Sequence, residues 1–278
     1  DELSGIPSEQ VRVPFALQGL IGCLVGPEDP GTSFIALFHD LGEAAGPPGA
    51  WGFARGGMGA VTQALKAAAE AAGARVRTEV EVESLDEIEA TTVVSAADPL
   101  TSARLAGVDP PGGWRQDGPV VKVMCLLDGL PDFPAWPGEE PWRGSIDIGF
   151  TLDDLSQAAA DAREGRPAAR PWIEAACQTA IDPTLAPEGK HVLSLFCQCF
   201  PPDVDAEAAA DAAVARFAEV CPELPDRIEG RIALGPRQLE ERFGIAGGHI
   251  FHGEMLPGQL LEERLNPRSY DGRPYLAG

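Results

Sequence analysis

The chain has 278 residues, of which 44% are hydrophobic and 23% are charged. This composition is typical of a folded domain and excludes a disordered chain. The 43 acidic against 21 basic residues give a formal net charge of −22, which repels phosphate backbones and argues against a nucleic-acid partner.

No apolar run approaches the ~20 residues that a membrane-spanning helix needs. Residues 1–10 lack the basic and apolar regions of a signal peptide, so a cytoplasmic protein is expected. The six cysteines lie mostly in apolar stretches without a CxxC pair, which predicts reduced core residues. The chain starts at Asp1 and ends where a strand runs into a glycine turn, which predicts a piece of a longer protein.

The first half of the sequence indicates an α/β unit. Residues 1–50 suggest short helices or turns, with 15–25 as a buried element. The cluster Gly56-Gly57-Met58-Gly59 opens a run with helical apolar spacing that Gly73 ends. Apolar and charged residues then alternate over 76–82, which predicts a strand with one face in the core, and 92–96 predicts a shorter strand.

From about Pro119 the pattern changes to that of antiparallel strands with helices beside them, an α+β arrangement. The expected strands cover 120–127, 145–150, 173–179, 191–200 and 231–234. The expected helices cover 205–221 and 236–243, and a compact turn-rich segment follows at 247–255.

Four features are candidates for chemistry, each with a structural alternative. The glycine cluster at 56–59 can approach an anion or form a tight turn. His249 and His252 can serve as polar groups in a pocket or as satisfied structural histidines, and no metal site is expected because no third ligand accompanies them. Cys197 and Cys199 would share one face of a strand, where packing is the commoner role and a redox or metal role is the alternative.

Arginines form the fourth feature. Arg12, Arg55 and Arg237 can each anchor an acidic ligand, although solvated or ion-paired arginines are commoner. Nucleophile-elbow, zinc-protease and Walker A motifs do not occur in the sequence.

Six segments, in this order, resemble the phytoene dehydrogenase-like FAD oxidoreductases. Within that family, the sequence is most similar to the subgroup containing a pyridine nucleotide-disulphide oxidoreductase domain. The segments that carry the resemblance are 49–61, 72–76, 94–99, 182–191, 248–255 and 275–278.

The resemblance implies an α/β fold: a partial FAD-binding, glutathione-reductase-like domain with an inserted α+β substrate domain of antiparallel strands and helices. Residues 1–49 would be a helical lead-in belonging to the substrate or cap region. Residues 50–100 and 256–278 would belong to the FAD-binding domain, and residues 101–255 to the substrate domain.

The resemblance also assigns site residues. The substrate-side polar groups would be His249 and His252. The residues near FAD would be Gly56, Gly57, Met58, Glu79, Val80, Ser95, Ala96, Ala97 and Gly278.

The sequence lacks the G-x-G-x-x-G turn that cradles the pyrophosphate in this family. The chain is therefore expected to be an internal fragment that is inactive alone. Its parent would be an FAD-dependent oxidoreductase, such as a desaturase, that transfers hydride between a small apolar substrate and flavin. The alternative is a non-catalytic binding or assembly module with a decayed flavin site. The substrate, the electron acceptor and the oligomeric state, a homo-oligomer included, stay open.

Overall fold

The computed structural model describes residues 3–41, 52–110, 112–266, 268, 270 and 273–277. The helices within these residues are α1 (Glu9–Gln18), α2 (Thr32–Asp40), α3 (Gly57–Ala71), α4 (Pro99–Ala106), α5 (Leu152–Arg163), α6 (Ala206–Ala218), α7 (Leu224–Arg227) and α8 (Pro236–Phe243). The strands are β1 (Val94–Ser95), β2 (Val120–Leu127), β3 (Ser145–Ile148), β4 (Trp172–Ala176), β5 (His191–Gln198), β6 (Ile228–Leu234) and β7 (Tyr275–Leu276).

The main sheet has five strands in the order β3-β4-β5-β2-β6, and every neighbouring pair is antiparallel. Alternate residues of β2 point to one face, where Val121, Val123 and Leu127 are completely buried. Helix α6 covers this face with a stripe of alanines and Phe217, and together they form the first hydrophobic core. The antiparallel arrangement expected after Pro119 is therefore confirmed.

A second core lies on the opposite face of the sheet, because Trp172 precedes the first-core residue Ile173 in β4. Helices α1, α2 and α5 build it around Leu17, Ile35 and Leu155, each at most 1% exposed. The lead-in helices thus pack onto the sheet and onto α5.

A separate two-stranded sheet joins distant parts of the chain. Strand β1 pairs in parallel with β7, in the register Val94 to Tyr275. Nearby, the Tyr270 hydroxyl donates to the Pro99 carbonyl at 2.8 Å, and Arg273 donates to the Leu85 carbonyl at 3.1 Å. These contacts hold residues 85–99 against the C-terminal segment.

The prediction of a strand over 76–82 is wrong. These residues form irregular backbone, and Val76 and Val80 are 45% and 60% exposed. Alternation becomes a strand only when a neighbour completes the hydrogen-bond ladder, and no described strand pairs with this segment. The preceding helix α3 begins and ends near its expected limits but buries none of its residues.

Other differences are local. Helices α4 and α5 were not predicted, although each begins with a side-chain cap, from Asp98 and Thr151. The strands expected at 145–150 and 173–179 end earlier, at Ile148 and Ala176. Cys197 and Cys199 do not share a strand face, because β5 ends at Gln198 and Cys199 has a φ of +71°. They pack into different cores.

Candidate functional site

Two of the predicted site segments meet at one small cavity of about 70 Å³. Ala96 and Ala97, which follow β1, line it together with His252. Leu276 and Ala277, at the β7 side, contribute to the same lining. The parallel pairing of β1 with β7 places residues from distant parts of the sequence, Ala97 and Ala277, on a common wall, and His252 lines the same cavity from a separate loop.

The glycines around the histidines allow their loop to approach the rest of the protein closely. A Cβ on Gly253 would lie 2.2 Å from Trp114 Cζ2, and one on Gly248 would lie 2.4 Å from Pro236 Cα. Both glycines have positive φ, which side chains rarely adopt. The glycines thus fix the turn that presents His252 to the cavity.

His249 is completely buried behind this wall. Its Nδ1 accepts a hydrogen bond from the Phe251 amide at 3.2 Å, so in the neutral ring the hydrogen lies on Nε2. Burial lowers the pKa of His249 to about 4, and the charges of Arg264 and His252 contribute. The imidazole is therefore neutral at pH 7.

His252 lines the cavity with a left-handed backbone, at a φ of +54°. Its amide donates to the His249 carbonyl at 3.0 Å, so the two histidines belong to one tight turn. The Nδ1 atom of His252 and the Nε2 atom of His249 are buried, and neither has a hydrogen-bond partner among the described residues. Buried polar atoms without partners are uncommon and often mark functional positions.

Arg264 and Trp114 also line the cavity, and no sequence pattern points to either residue. The Arg264 guanidinium donates to the Phe251 carbonyl at 2.8 Å and lies 5.6 Å from the Trp114 ring centre. Burial lowers the pKa of Arg264. A cation thus stands beside the histidine turn and disfavours a positive charge on the His249 ring.

Asp98 supports the wall from behind. It caps α4 through the amides of Leu100 and Thr101, and it accepts a hydrogen bond from Gln116 at 3.1 Å. Burial alone would raise the pKa of Asp98, but its hydrogen bonds, from Thr101 and Gln116 among others, lower it. The Asp-Pro pair at 98–99 was a readable helix-start signal for this residue.

The glycine cluster is separate from this cavity. The Gly56 amide donates to Asp182 Oδ2 at 2.7 Å, and that hydrogen bond is the main reason why the pKa of Asp182 is lowered. Gly57 donates to the Ala54 carbonyl at 2.9 Å, and Met58 is 75% exposed. The turn therefore already holds an anionic group, a carboxylate of the chain itself.

The remaining predicted site residues are dispersed. Glu79 and Val80 lie on the exposed irregular segment and do not line the cavity. Ser95 is buried and shares a hydrogen bond of 2.8 Å with Ser102. Gly278 lies outside the described residues.

The described residues fit one wall of a flavin site and not a complete one. A cavity of about 70 Å³ is far smaller than the roughly 300–1,000 Å³ of pockets that enclose drug-sized ligands. The amides of Gly56 and Gly57 are used within the chain. In favour of the wall, Ala96, Ala97 and Ala277 contribute small side chains, and His252 lines the cavity with a ring whose Nδ1 is buried without a partner.

Two further properties bear on the site. In the parts of the chain that the structure describes, no three His, Cys, Asp or Glu side chains are placed to hold a metal ion. The helices of those same parts are all too short or too polar to cross a bilayer.

The sequence is similar to curated proteins whose names describe an oxidoreductase domain. It is 32% identical to pyridine nucleotide-disulfide oxidoreductase domain-containing protein 2 of the rat, over 96% of this chain and 53% of that protein. The mouse protein of the same name is 31% identical over the same shares. An uncharacterized protein of Mycobacterium tuberculosis is 28% identical over 90% of this chain and 53% of its own length.

The chain thus spans about half the length of the curated relatives it matches. No established family profile matches it. The resemblance to the pyridine nucleotide-disulphide oxidoreductase subgroup is supported by these relatives. The assignment to the wider phytoene dehydrogenase-like family remains a hypothesis.

Proposed function

We propose that the chain is part of an FAD-dependent oxidoreductase of the phytoene dehydrogenase-like class. One observation carries the proposal: Ala96, Ala97 and His252 line the same cavity. The family resemblance assigns the two alanines to the cofactor side and the histidine to the substrate side, and a shared cavity is what a site joining the two sides would require. The relatives named for a pyridine nucleotide-disulfide oxidoreductase domain support a redox activity.

FAD, when bound, accepts or returns a hydride. The contribution of this chain would be to form one wall and to place polar groups on it. His252 Nδ1, buried and unpartnered, would hydrogen-bond to the substrate or to the cofactor edge. The neutral His249 and the guanidinium of Arg264 would hold the turn in place. An apolar substrate is proposed from the family resemblance, and Trp114, Phe251 and Leu265 give the cavity wall an apolar part beside the charged Arg264.

The proposal is tested on the natural gene product, and mass spectrometry of the purified protein establishes its length. The purified protein is expected to carry FAD, measured by absorption near ~450 nm and by chromatography of the released cofactor. Ala97→Trp places a large side chain in the space beside the wall and should lower flavin occupancy at least about tenfold. The matched control Ala208→Trp, at an exposed position of α6, should retain flavin. Equal occupancy in both variants would argue against the assigned wall.

A non-catalytic binding module is the second candidate, and one observation favours it. The amide of Gly56 is occupied by Asp182, as a decayed phosphate site would permit. Folded natural protein that contains no flavin and takes up none would favour the module over the enzyme.

A further inference from the structure

A second, larger cavity of about 370 Å³ opens between α1 and α2. Its walls include Arg12, Phe15 and Ala16 of α1, Ala36 and Leu37 of α2, and Leu152 at the start of α5. We call it the α1–α2 cleft. It shares no lining residue with the small cavity beside His252, so it is a separate candidate site.

The cleft is predominantly apolar and open to solvent. Phe15 and Leu37 stand at its walls and remain 52% and 54% exposed. Large apolar side chains gathered around a concavity are typical of ligand sites, since each loses contact with water when the concavity fills. Its volume also falls within the range of pockets that bind small molecules, roughly 300–1,000 Å³.

Arg12 supplies the one basic side chain of this lining. Its Nε is buried without a hydrogen-bond partner, and it forms no ion pair with a described residue. Arg216 is the other arginine with a buried, unpartnered Nε, but its terminal nitrogens donate to Glu219 at 2.8 Å and to Asp154 at 3.1 Å. Arg12 therefore has a permanent charge and donors that nothing on the described chain satisfies.

We propose that the α1–α2 cleft binds an aliphatic monocarboxylate, a fatty acid of medium chain length. The carboxylate accepts hydrogen bonds from the Arg12 guanidinium, whose planar fork matches a carboxylate in two parallel contacts. The alkyl chain lies against Phe15, Ala36 and Leu37.

The charge of the surroundings selects against other anions. Glu28 also lines the cleft, and the net charge of the chain is −22. A phosphate or a dicarboxylate would add negative charges that Arg12 alone cannot neutralise, whereas a monocarboxylate forms a single neutral pair. An uncharged alcohol of the same chain length offers one acceptor oxygen and leaves the charge of Arg12 without a counter-ion.

The direct test is calorimetric titration of the purified natural gene product with octanoate, octan-1-ol and acetate. Octanoate is expected to bind saturably at one site. Octan-1-ol, which lacks the charge, and acetate, which lacks the chain, should each bind at least about tenfold more weakly. No saturable binding of octanoate, or equal affinity for octanoate and octan-1-ol, would overturn the proposal.

Variants assign the contact to Arg12. Arg12→Gln should weaken octanoate binding at least about tenfold and leave octan-1-ol binding unchanged, which also shows that the cleft is intact. The matched control Arg104→Gln replaces an exposed helical arginine and should bind octanoate as the wild type does. Unchanged octanoate affinity in Arg12→Gln would contradict the proposed role.

A second variant tests the volume of the cleft independently of the charge. Ala36→Phe should abolish binding of both octanoate and octan-1-ol by filling the cleft. If Arg12→Gln fails to fold, the comparison of ligands on the wild type and the binding measurements on Ala36→Phe still test whether the cleft binds octanoate. None of these measurements needs flavin, so their failure leaves the proposed oxidoreductase function untouched.

Discussion

Gly253 shows how one residue determines the shape of the site. Its φ is +136°, and an added Cβ would meet the Trp114 ring at 2.2 Å. We expect Gly253→Ala to lower the free energy of unfolding by about 3 kcal/mol, because backbone strain and overpacking act together. Urea denaturation followed by tryptophan fluorescence measures the change.

Gly129→Ala is the matched control for Gly253→Ala. Gly129 has a similar φ of +118°, but a Cβ there would meet nothing within 4 Å. Only the backbone strain remains, so the expected loss is about 1 kcal/mol. Equal losses in the two variants would show that the contact with Trp114 is not tight.

His249 gives the stability a predictable dependence on pH. Burial holds the pKa of the folded histidine at about 4, against 6.5 as the ordinary value. Between these values the unfolded chain binds more protons, so stability falls as the pH falls. The expected loss from this group is about 2 kcal/mol between pH 7.5 and pH 5.

The check is urea denaturation at both pH values on the wild type and on His249→Gln. The variant should lose about 2 kcal/mol less than the wild type over this interval, because glutamine does not titrate. An identical pH dependence in the two proteins would mean that His249 is protonated as readily in the folded state as in the unfolded one.

At the scale of elements, helices α3 and α5 contribute unequally to the stability of the fold. Leu155 of α5 is 1% exposed in the second core, whereas Leu65 of α3 is 68% exposed. Leu155→Ala should lower the free energy of unfolding by about 3 kcal/mol. Leu65→Ala, the same change at an exposed position, should alter it by less than about 0.5 kcal/mol. A comparable loss at Leu65 would show that α3 packs against the chain.

Elements that carry their own local signals were predictable from the sequence. Strand β2 is a nearly continuous apolar run, and its bounds match those expected. Helix α8 begins with Pro236 and ends before Gly244, as proline at a helix start and glycine at its end predict. In both cases the signal lies within the element itself.

The prediction failed where the outcome depends on a distant partner. Residues 76–82 have the alternation of a strand, but no described strand lies beside them. In the site, the resemblance pointed to Ala97 and His252, which line one cavity although neither lies in a paired strand. Trp114 and Arg264 could not be found, because an isolated tryptophan or arginine has no periodicity or motif.

At the scale of the molecule, two hydrophobic cores on opposite sheet faces enclose the thiols. All six cysteines are free and buried, and burial raises the pKa of Cys23 and of Cys125 to about 11. A thiol-specific reagent at pH 8 should therefore label fewer than one cysteine in the native chain and all six in urea. Rapid labelling of several native thiols would contradict the two-core arrangement.

The assignment of the whole protein as a flavoenzyme is tested most directly by the absorption spectrum of the purified natural gene product. The protein is expected to show oxidised-flavin bands near ~450 nm that bleach on anaerobic reduction and return in air. A folded, colourless protein that takes up no added FAD would contradict it.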